Sequence, residues 1–306
     1  VKVLVTGARG FIGSHVCADL INADCRVLGI DTAEANERAS EGRKALLGDS
    51  VRFEVCDVSS LSLSPVIAVF RPDVIVHLAG VANPRKSIDF PERYLTNNIA
   101  AGLNLFRAAK ALGIPKIVYA SSSSVYGRGG VPYYEDDPLN PLSYYAASKV
   151  ALEATANAYA AQGVVSVGLR FFTVYGRHGR PDMAPYMFTD AVLNGREVNL
   201  FGNGGRSYTH VSDVVLAIRS AIMQHAVGHE VYNVGGDRIV RTKELLEFIG
   251  KTLSLPIHFK DVGSSPGEPS VTVPSLQKIK DAYSWTPKVP FEKGMADFIQ
   301  WMVESK

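Results

Sequence analysis

Tyr145 and Lys149, four residues apart in "SYYAASK", are a pair equipped for acid–base chemistry. On a helix, residues four apart share a face. An ammonium beside a phenol favours the phenolate, so a group that ordinarily titrates near pH ~10 becomes a base usable near neutrality. Tyr144 is the rival phenol, but it stands five residues from Lys149 and off that face. The same spacing also arises as an ordinary surface pair. A second polar group lies just upstream in "SSSSVYG", residues 121–127. Four serines in a row make a poor strand and a poor core, and one of them can hydrogen-bond the oxygen that Tyr145 deprotonates. The competing role is a polar strand end that caps the next segment.

"TGARGFIG" places Gly7, Gly10 and Gly13 between an apolar run and a helical stretch. Glycines there let backbone approach a pyrophosphate, and a helix N-terminus supplies N–H donors. The spacing is Gly-x-x-Gly-x-x-Gly, not the commoner Gly-x-Gly-x-x-Gly. Asp31 closes the second apolar run, where a carboxylate can accept from adenosine ribose hydroxyls and would repel a 2′-phosphate; this predicts NAD as cofactor. Asp57-Val58 closes the third run and can meet the adenine, or serve as a plain turn.

The elements that must position these groups are short runs, apolar nearly throughout: 1–6, 26–31, 51–57, 73–79, 116–122 and 165–172. Strands buried on both faces read this way. Helical stretches between them, the strongest at 91–112 and 143–162, predict crossovers and hence an α/β fold: a Rossmann-type doubly wound parallel sheet. Beyond Phe172 the strands shorten and prolines accumulate, which predicts a smaller C-terminal α/β substrate-binding region. The expected division is 1–174, with 207–235 returning to it, against 175–206 and 236–306.

Of 306 residues, 46% are hydrophobic and 20% charged, with a net charge of +2, which argues against a broad nucleic-acid face. No apolar run reaches the ~20 residues of a membrane span. The chain is structural from its first residues, so no signal peptide is visible. Cys17, Cys25 and Cys56 lack metal spacing and read as reduced thiols of a cytoplasmic protein. His225 and His229, four apart, read as a solvated helix end, and no metal site is expected.

Taken in order, "TGARGFIG", Asp31, "DV" at 57–58, "HLAG" at 77–80, "NN" at 97–98, "SSSSVYG", "YAASK", "RFFTVYG" and "PGEP" at 266–269 resemble the extended short-chain dehydrogenase/reductase family over almost the whole chain. The resemblance implies a tightly held NAD and a nucleotide-sugar substrate. It places the catalytic Ser/Thr on Ser122, four residues before the tyrosine of "VYG", beside Tyr145 and Lys149. It implies cofactor contacts from Gly7, Gly10, Phe11, Ile12, Gly13, Asp31, Asp57, Val58, Leu78, Ala79, Gly80, Asn98, Tyr145, Lys149 and Phe172. It also implies a C2 homodimer built on the 91–112 and 143–162 helices, against which ordinary helix-on-sheet packing is the alternative.

Reactions of this family begin with oxidation at sugar C4. The family's dehydratases carry an Asp-Glu pair in the serine segment, and its decarboxylases a Glu two positions before the "VYG" tyrosine. Here Ser123 and Ser124 stand there, so epimerisation remains. "RFFTVYG" followed by "GRPDMA" resembles the family's 4-epimerases that act on UDP-glucuronate. A uronate adds one carboxylate beyond the diphosphate, for which Thr173 offers a hydroxyl and Arg180 a bidentate fork. Arg206 matches the diphosphate-binding arginine, with Arg85 as a second. Arg85, Ser122, Ser123, Ser124, Tyr145, Thr173, Arg180, Met183, Arg206 and Glu268 form the expected UDP-sugar site. Arg170 reads as structural at a strand end and Arg177 as a loop charge. Arg177-His178 departs from the usual Pro-Trp, and Asn83-Pro84 ahead of Arg85 is a second departure. The rivals are a UDP-glucose/galactose 4-epimerase, then a UDP-glucuronate decarboxylase. An NAD-sensing scaffold, which would be expected to lose one of Ser122, Tyr145 and Lys149, is the non-enzyme alternative.

Overall fold

The computed structural model describes residues 1–38, 41–48, 50–263 and 270–305. Its first strands are β1 (Lys2–Thr6), β2 (Arg26–Asp31), β3 (Arg52–Val55), β4 (Val74–His77), β5 (Lys116–Ser122) and β6 (Val165–Phe171). Next come β7 (Thr173–Tyr175), β8 (Val198–Leu200), β9 (Gly205–His210), β10 (His229–Val234), β11 (Ile239–Arg241), β12 (Phe259–Asp261) and β13 (Val271–Thr272). Seven strands form one parallel sheet in the order β10-β6-β5-β4-β1-β2-β3. The doubly wound fold expected from the apolar runs is therefore present. The strand order reverses between β1 and β4, and the crevice outside the carboxyl ends at such a switch point is where ligands bind.

Alternation along each strand feeds two cores. Val3, Val5, Val27 and Val76 face the helices Phe11–Asn22 and Val211–Met223, through Val16, Leu20, Val214 and Ile218. Leu4, Leu28, Ile30 and Ile75 face the opposite layer, through Leu63, Ile67, Leu105, Phe106 and Leu152. All these side chains are buried, and each contributes about 1.5–3 kcal/mol relative to exposure.

β10 joins the sheet beside β6, a strand absent from the six apolar runs because "HEVYNV" mixes polar and apolar residues. It corrects the reading of His229 as part of a helix end: the residue opens β10, and its Nδ1 lies 3.0 Å from Ser166 Oγ. Lys116 fastens the preceding helix to the sheet, donating from Nζ to the carbonyls of Ala221, Ile222 and Gln224 at 2.9, 2.9 and 2.6 Å. A cation suits the carbonyl-rich end of a helix.

The smaller region holds the sheet β11-β9-β13, with β7 paired to β9, and a β8–β12 pair. Its core gathers Tyr175, Phe188, Tyr208, Leu245, Ile249, Phe291, Met295 and Phe298. The expected 91–112 helix is broken into Pro91–Tyr94, a π-helical turn Leu95–Ala100, and Ala101–Ala111. Among the described residues no helix is long and apolar enough to cross a membrane.

Candidate active site

β1 ends in Gly7, whose φ of +69° is left-handed, and a Cβ there would lie 2.7 Å from the backbone nitrogen of Ala79. Gly10 donates to the Gly7 carbonyl at 2.9 Å and caps the helix Phe11–Asn22 with no side-chain partner. A Cβ on Gly13 would overlap the Gly7 carbonyl, so this glycine seats the helix against the loop. The first-turn amides of Phe11, Ile12 and Gly13 thus sit at the sheet's switch point with no side-chain cap, a cradle that fits a diphosphate.

Asp31 lies beside this cradle. Its Oδ2 accepts from the Arg9 amide and its Oδ1 from the Thr32 amide, both at 3.0 Å. Burial raises its carboxyl above the usual range despite those bonds. The Arg9 guanidinium stacks 3.9 Å over the Phe53 ring. Asp57 is built as a turn aspartate: its Oδ1 accepts from both the amide and hydroxyl of Ser59 at 2.8 Å. Val58 is buried in the core, and its carbonyl accepts from Asn104 Nδ2 at 2.7 Å.

Across the switch point, Leu78 and Ala79 are held by Thr6, whose carbonyl and Oγ1 accept from their amides at 3.2 and 3.1 Å. Thr6 Oγ1 also lies 2.8 Å from His77 Nδ1. Burial, then the nearby Lys149 charge, pushes His77 down to about 3, so its imidazole is neutral at ordinary pH. A Cβ on Gly80 would lie 2.9 Å from Asn98 Oδ1. The Asn98 amide is spent locally: it accepts from Val81 N at 2.8 Å and donates to Val81 O at 3.0 Å and Ser148 Oγ at 2.9 Å. The π-helical turn carries this asparagine, which ties the loop after β4 to the helix Tyr144–Ala160.

That helix begins at Ser143, whose Oγ accepts from the Ala146 amide at 3.2 Å. Its first turn separates the two phenols: Tyr145 is 9% exposed, Tyr144 55%. Ser122, the last residue of β5, is buried, and its hydroxyl reaches the Tyr145 phenol. The same Oγ accepts from the Ser124 amide at 3.2 Å and lies 3.1 Å from Ser124 Oγ. Ser122 therefore does both things weighed for the serine run, capping the turn Ser123–Tyr126 and facing the phenol.

Lys149 is buried, donates to the Ala120 carbonyl at 2.8 Å, and lies 6.0 Å from the Tyr145 ring centre. Burial pulls it down to about 8, against the Glu153 carboxylate, which raises it. The Tyr145 phenol is itself raised by burial, with Ser122 and the Arg180 charge pulling the other way. Both groups are desolvated together, and burial acts against the charged form of each.

The sugar side is built from two loops. Thr173 opens β7 opposite Tyr208, half-buried, while Phe172 packs its ring against Val125, Tyr126 and Tyr133. Arg180 lies one-third exposed, with Met183 N donating to its carbonyl at 3.2 Å. The Arg85 guanidinium sits 5.0 Å over Phe201, at the turn leading into β9, and β9 carries Arg206. Arg206 Nη1 donates to the carbonyls of Gly205 and Ser270, both at 3.0 Å. Glu268 lies outside the described residues.

Glu153 and Tyr94 shape the site and were not singled out from sequence, whereas Arg170 was read there as structural at a strand end. Arg170 and Glu153 form a buried bidentate pair, Nε–Oε1 2.9 Å and Nη2–Oε2 2.7 Å, and Ser121 Oγ donates to Glu153 at 2.5 Å. Arg170 Nη1 also donates to Tyr126 Oη and the Glu135 carbonyl. This network braces β5, β6 and the Lys149 helix. Glu153 stands four residues after Lys149, a spacing visible in the sequence. Tyr94 packs edge-on to Tyr145 at 6.2 Å and donates its hydroxyl to the Asn83 carbonyl at 2.7 Å.

Residues 3–235 match the NAD dependent epimerase/dehydratase family. A probable UDP-glucuronate 4-epimerase of Rhizobium meliloti (strain 1021) is 31% identical, over 98% of this chain and 96% of its own. The crystal structure of UDP-glucuronic acid 4-epimerase from Bacillus cereus, in complex with UDP-glucuronic acid and NAD, is 30% identical, with a TM-score of 0.92 over all of both chains. The UDP-glucose 4-epimerase of Thermus thermophilus, in complex with NAD, is 28% identical, also at 0.92 over all of both chains.

Proposed function

The chain belongs to the NAD dependent epimerase/dehydratase family, and from that premise we propose that it interconverts UDP-glucuronate and UDP-galacturonate at C4 through a transient 4-keto sugar. The observation that carries this is the pairing of Ser122 with a buried Tyr145 phenol under the charge of Arg180, in a serine segment with no carboxylate at 123 or 124. The likeness to proteins named for that activity supports the same substrate.

In this reading the first-turn amides of Phe11–Gly13 hold the diphosphate of NAD and Asp31 accepts from its adenosine ribose. Bound NAD supplies the hydride acceptor and donor for sugar C4. Tyr145 takes the proton of the C4 hydroxyl as that carbon is oxidised and returns it when the other face is reduced. Ser122 donates to the same oxygen. Lys149 stands by as the cation that the phenolate requires, and its remaining donors would hold a ribose hydroxyl of the bound cofactor. Arg206 and Arg85 hold the UDP diphosphate.

The 4-keto uronate is a β-keto acid. It loses carbon dioxide when the C5–C6 bond aligns with the carbonyl π system. Thr173 and Arg180 clamp the carboxylate so that this bond stays near the carbonyl plane, an orientational restraint of several kcal/mol, on the order of other positioning terms. Incubation with UDP-glucuronate and, separately, UDP-glucose tests the assignment. The C4 epimer of the uronate is expected, without pentose; turnover of UDP-glucose alone would reject it.

A C2 homodimer belongs to this proposal. Ala147, Ala151, Ala154 and Ala158 recur along one exposed or half-exposed stripe of the helix Tyr144–Ala160, and Leu95 and Leu103 are about half exposed nearby; Ala146, by contrast, is buried in its own chain. Light scattering at micromolar concentration should give twice the chain mass of 33.1 kDa. A single-chain mass would reject the dimer.

A further inference from the structure

The guanidinium expected to read the substrate carboxylate already holds one from its own chain. Arg180 Nε donates to Asp182 Oδ1 at 3.0 Å and Nη2 to Oδ2 at 2.7 Å, the bidentate geometry of arginine with a carboxylate. Asp182 Oδ2 also accepts from Asn83 Nδ2 at 2.7 Å, across 99 residues of sequence. Asn83 is the residue that departs from the expected pattern ahead of Arg85, and its carbonyl takes the hydroxyl of Tyr94, the neighbour of Tyr145. One aspartate thus joins the loop after β4 to the loop after β7, over a site whose phenol feels the Arg180 charge.

We propose that Asp182 is a specificity-determining positioning residue, an internal stand-in that occupies the Arg180 fork and yields it to the carboxylate of a uronate. The proposal rests on the uronate reading above and adds to it a competitor inside the site. Two features make exchange feasible. The Arg180 and Asp182 side chains are 32% and 36% exposed, so the pair is half-solvated and weak, unlike the buried Arg170–Glu153 pair. Burial raises the Asp182 carboxyl, but the Arg180 bonds and charge and the Asn83 donor outweigh it and hold it below the usual carboxylate range, so it stays ionised and competes as an anion at neutral pH. A neutral sugar meets an arginine already neutralised by Asp182. A uronate brings a second carboxylate that can replace the first, the displaced Asp182 keeping its Asn83 partner and gaining water. Discrimination then depends on the difference between two carboxylates at one fork, not on an arginine waiting unpaired.

The test is equilibrium binding of UDP-glucuronate and UDP-glucose to the NAD-loaded protein by calorimetry, with Tyr145→Phe in every sample so that neither ligand turns over. Asp182→Asn keeps an acceptor for Asn83 and removes the competing charge. It should tighten UDP-glucuronate relative to UDP-glucose by roughly twofold to fivefold, the range set by one exposed ion pair that no longer has to be broken. With Arg180→Ala added, the same substitution should no longer move that ratio. Asn83→Ala cuts the brace between the loops but leaves the carboxylate on Arg180, and should leave the ratio where it was. Asp182→Ser gives a second uncharged variant should the asparagine disturb folding, which a thermal melt reads. Equal changes for both ligands, a ratio shifted against UDP-glucuronate, or the same shift without Arg180 would overturn the proposal. The uronate reading stands or falls separately, on whether the chain with Tyr145 intact epimerises UDP-glucuronate, because the binding ratio is read without turnover.

Discussion

Glu153→Gln tests the buried network beneath Lys149. In the folded chain the Glu153 side chain is 7% exposed and that of Arg170 4%, joined by two charge-assisted hydrogen bonds of 2.7 and 2.9 Å, with Ser121 donating to the same carboxylate at 2.5 Å. Glutamine keeps the shape and loses the charge. It leaves a guanidinium in the core with Tyr126, the Glu135 carbonyl and a neutral amide as partners, and the amide's own N–H groups face other donors. Removing one partner of a buried pair costs about 3–5 kcal/mol, because the remaining charge is uncompensated. Urea unfolding at pH 7 should therefore show a drop of that size with little change in slope. The substitution has a second consequence. Glu153 raises the Lys149 ammonium against burial, so without it Lys149 should lose its proton at lower pH than about 8. The alkaline limb of activity, measured on the NAD-loaded protein, should move to lower pH. A loss under 1 kcal/mol together with an unmoved alkaline limb would refute both the charge pairing and its link to Lys149.

Other outcomes follow from the same geometry. Gly13→Ala places a methyl on the Gly7 carbonyl, so the helix must lift from the loop; the expected result is loss of retained NAD, read by absorbance of the purified protein, and a lower melting temperature. Lys149 is neutral sooner in the folded chain than in the unfolded one, whose lysines titrate near 10.5. Between pH about 8 and 10.5 the unfolded state binds more protons, so this residue contributes stability that rises with pH across that window, and Lys149→Met should remove that contribution and flatten the slope in urea titrations of the cofactor-free protein, leaving the part that comes from Lys116. Arg180→Ala should weaken UDP-glucuronate by roughly 1.5–3 kcal/mol and UDP-glucose far less, and should release some pentose. Equal losses for both ligands without pentose would make Arg180 a loop brace only.

β3 was legible from Phe53 and Val55 although it is a half-exposed edge strand; β1, β2, β4, β5 and β6 were legible because they are largely buried on both faces and so are apolar at nearly every position. β10 was not, because it is the outer strand beside β6 and carries His229, Glu230 and Asn233. The break in the 91–112 helix was invisible for a different reason: the π-helical turn follows from Asn98 reaching Val81 and Ser148, partners 17 and 50 residues away. In the candidate site, Tyr145 and Lys149 could be paired by helical spacing, and the exposure of Tyr144 agrees. The electrostatics could not be read the same way. Spacing places an ammonium near a phenol, but only burial reveals that both lose solvation. Asp182 stood in plain view two residues after Arg180, yet its third partner, Asn83, comes from a different loop.

In the proposed epimerisation, hydride leaves and returns at one sugar carbon while C5 and C6 stay intact. It is tested most directly with UDP-glucuronate carrying deuterium at C4, incubated with the NAD-loaded protein and followed by NMR and mass spectrometry, alongside unlabelled substrate in heavy water. The expected product is UDP-galacturonate that retains the C4 deuterium and takes none from solvent at C5. Loss of the label, solvent deuterium at C5, or a pentose as the main product would contradict it.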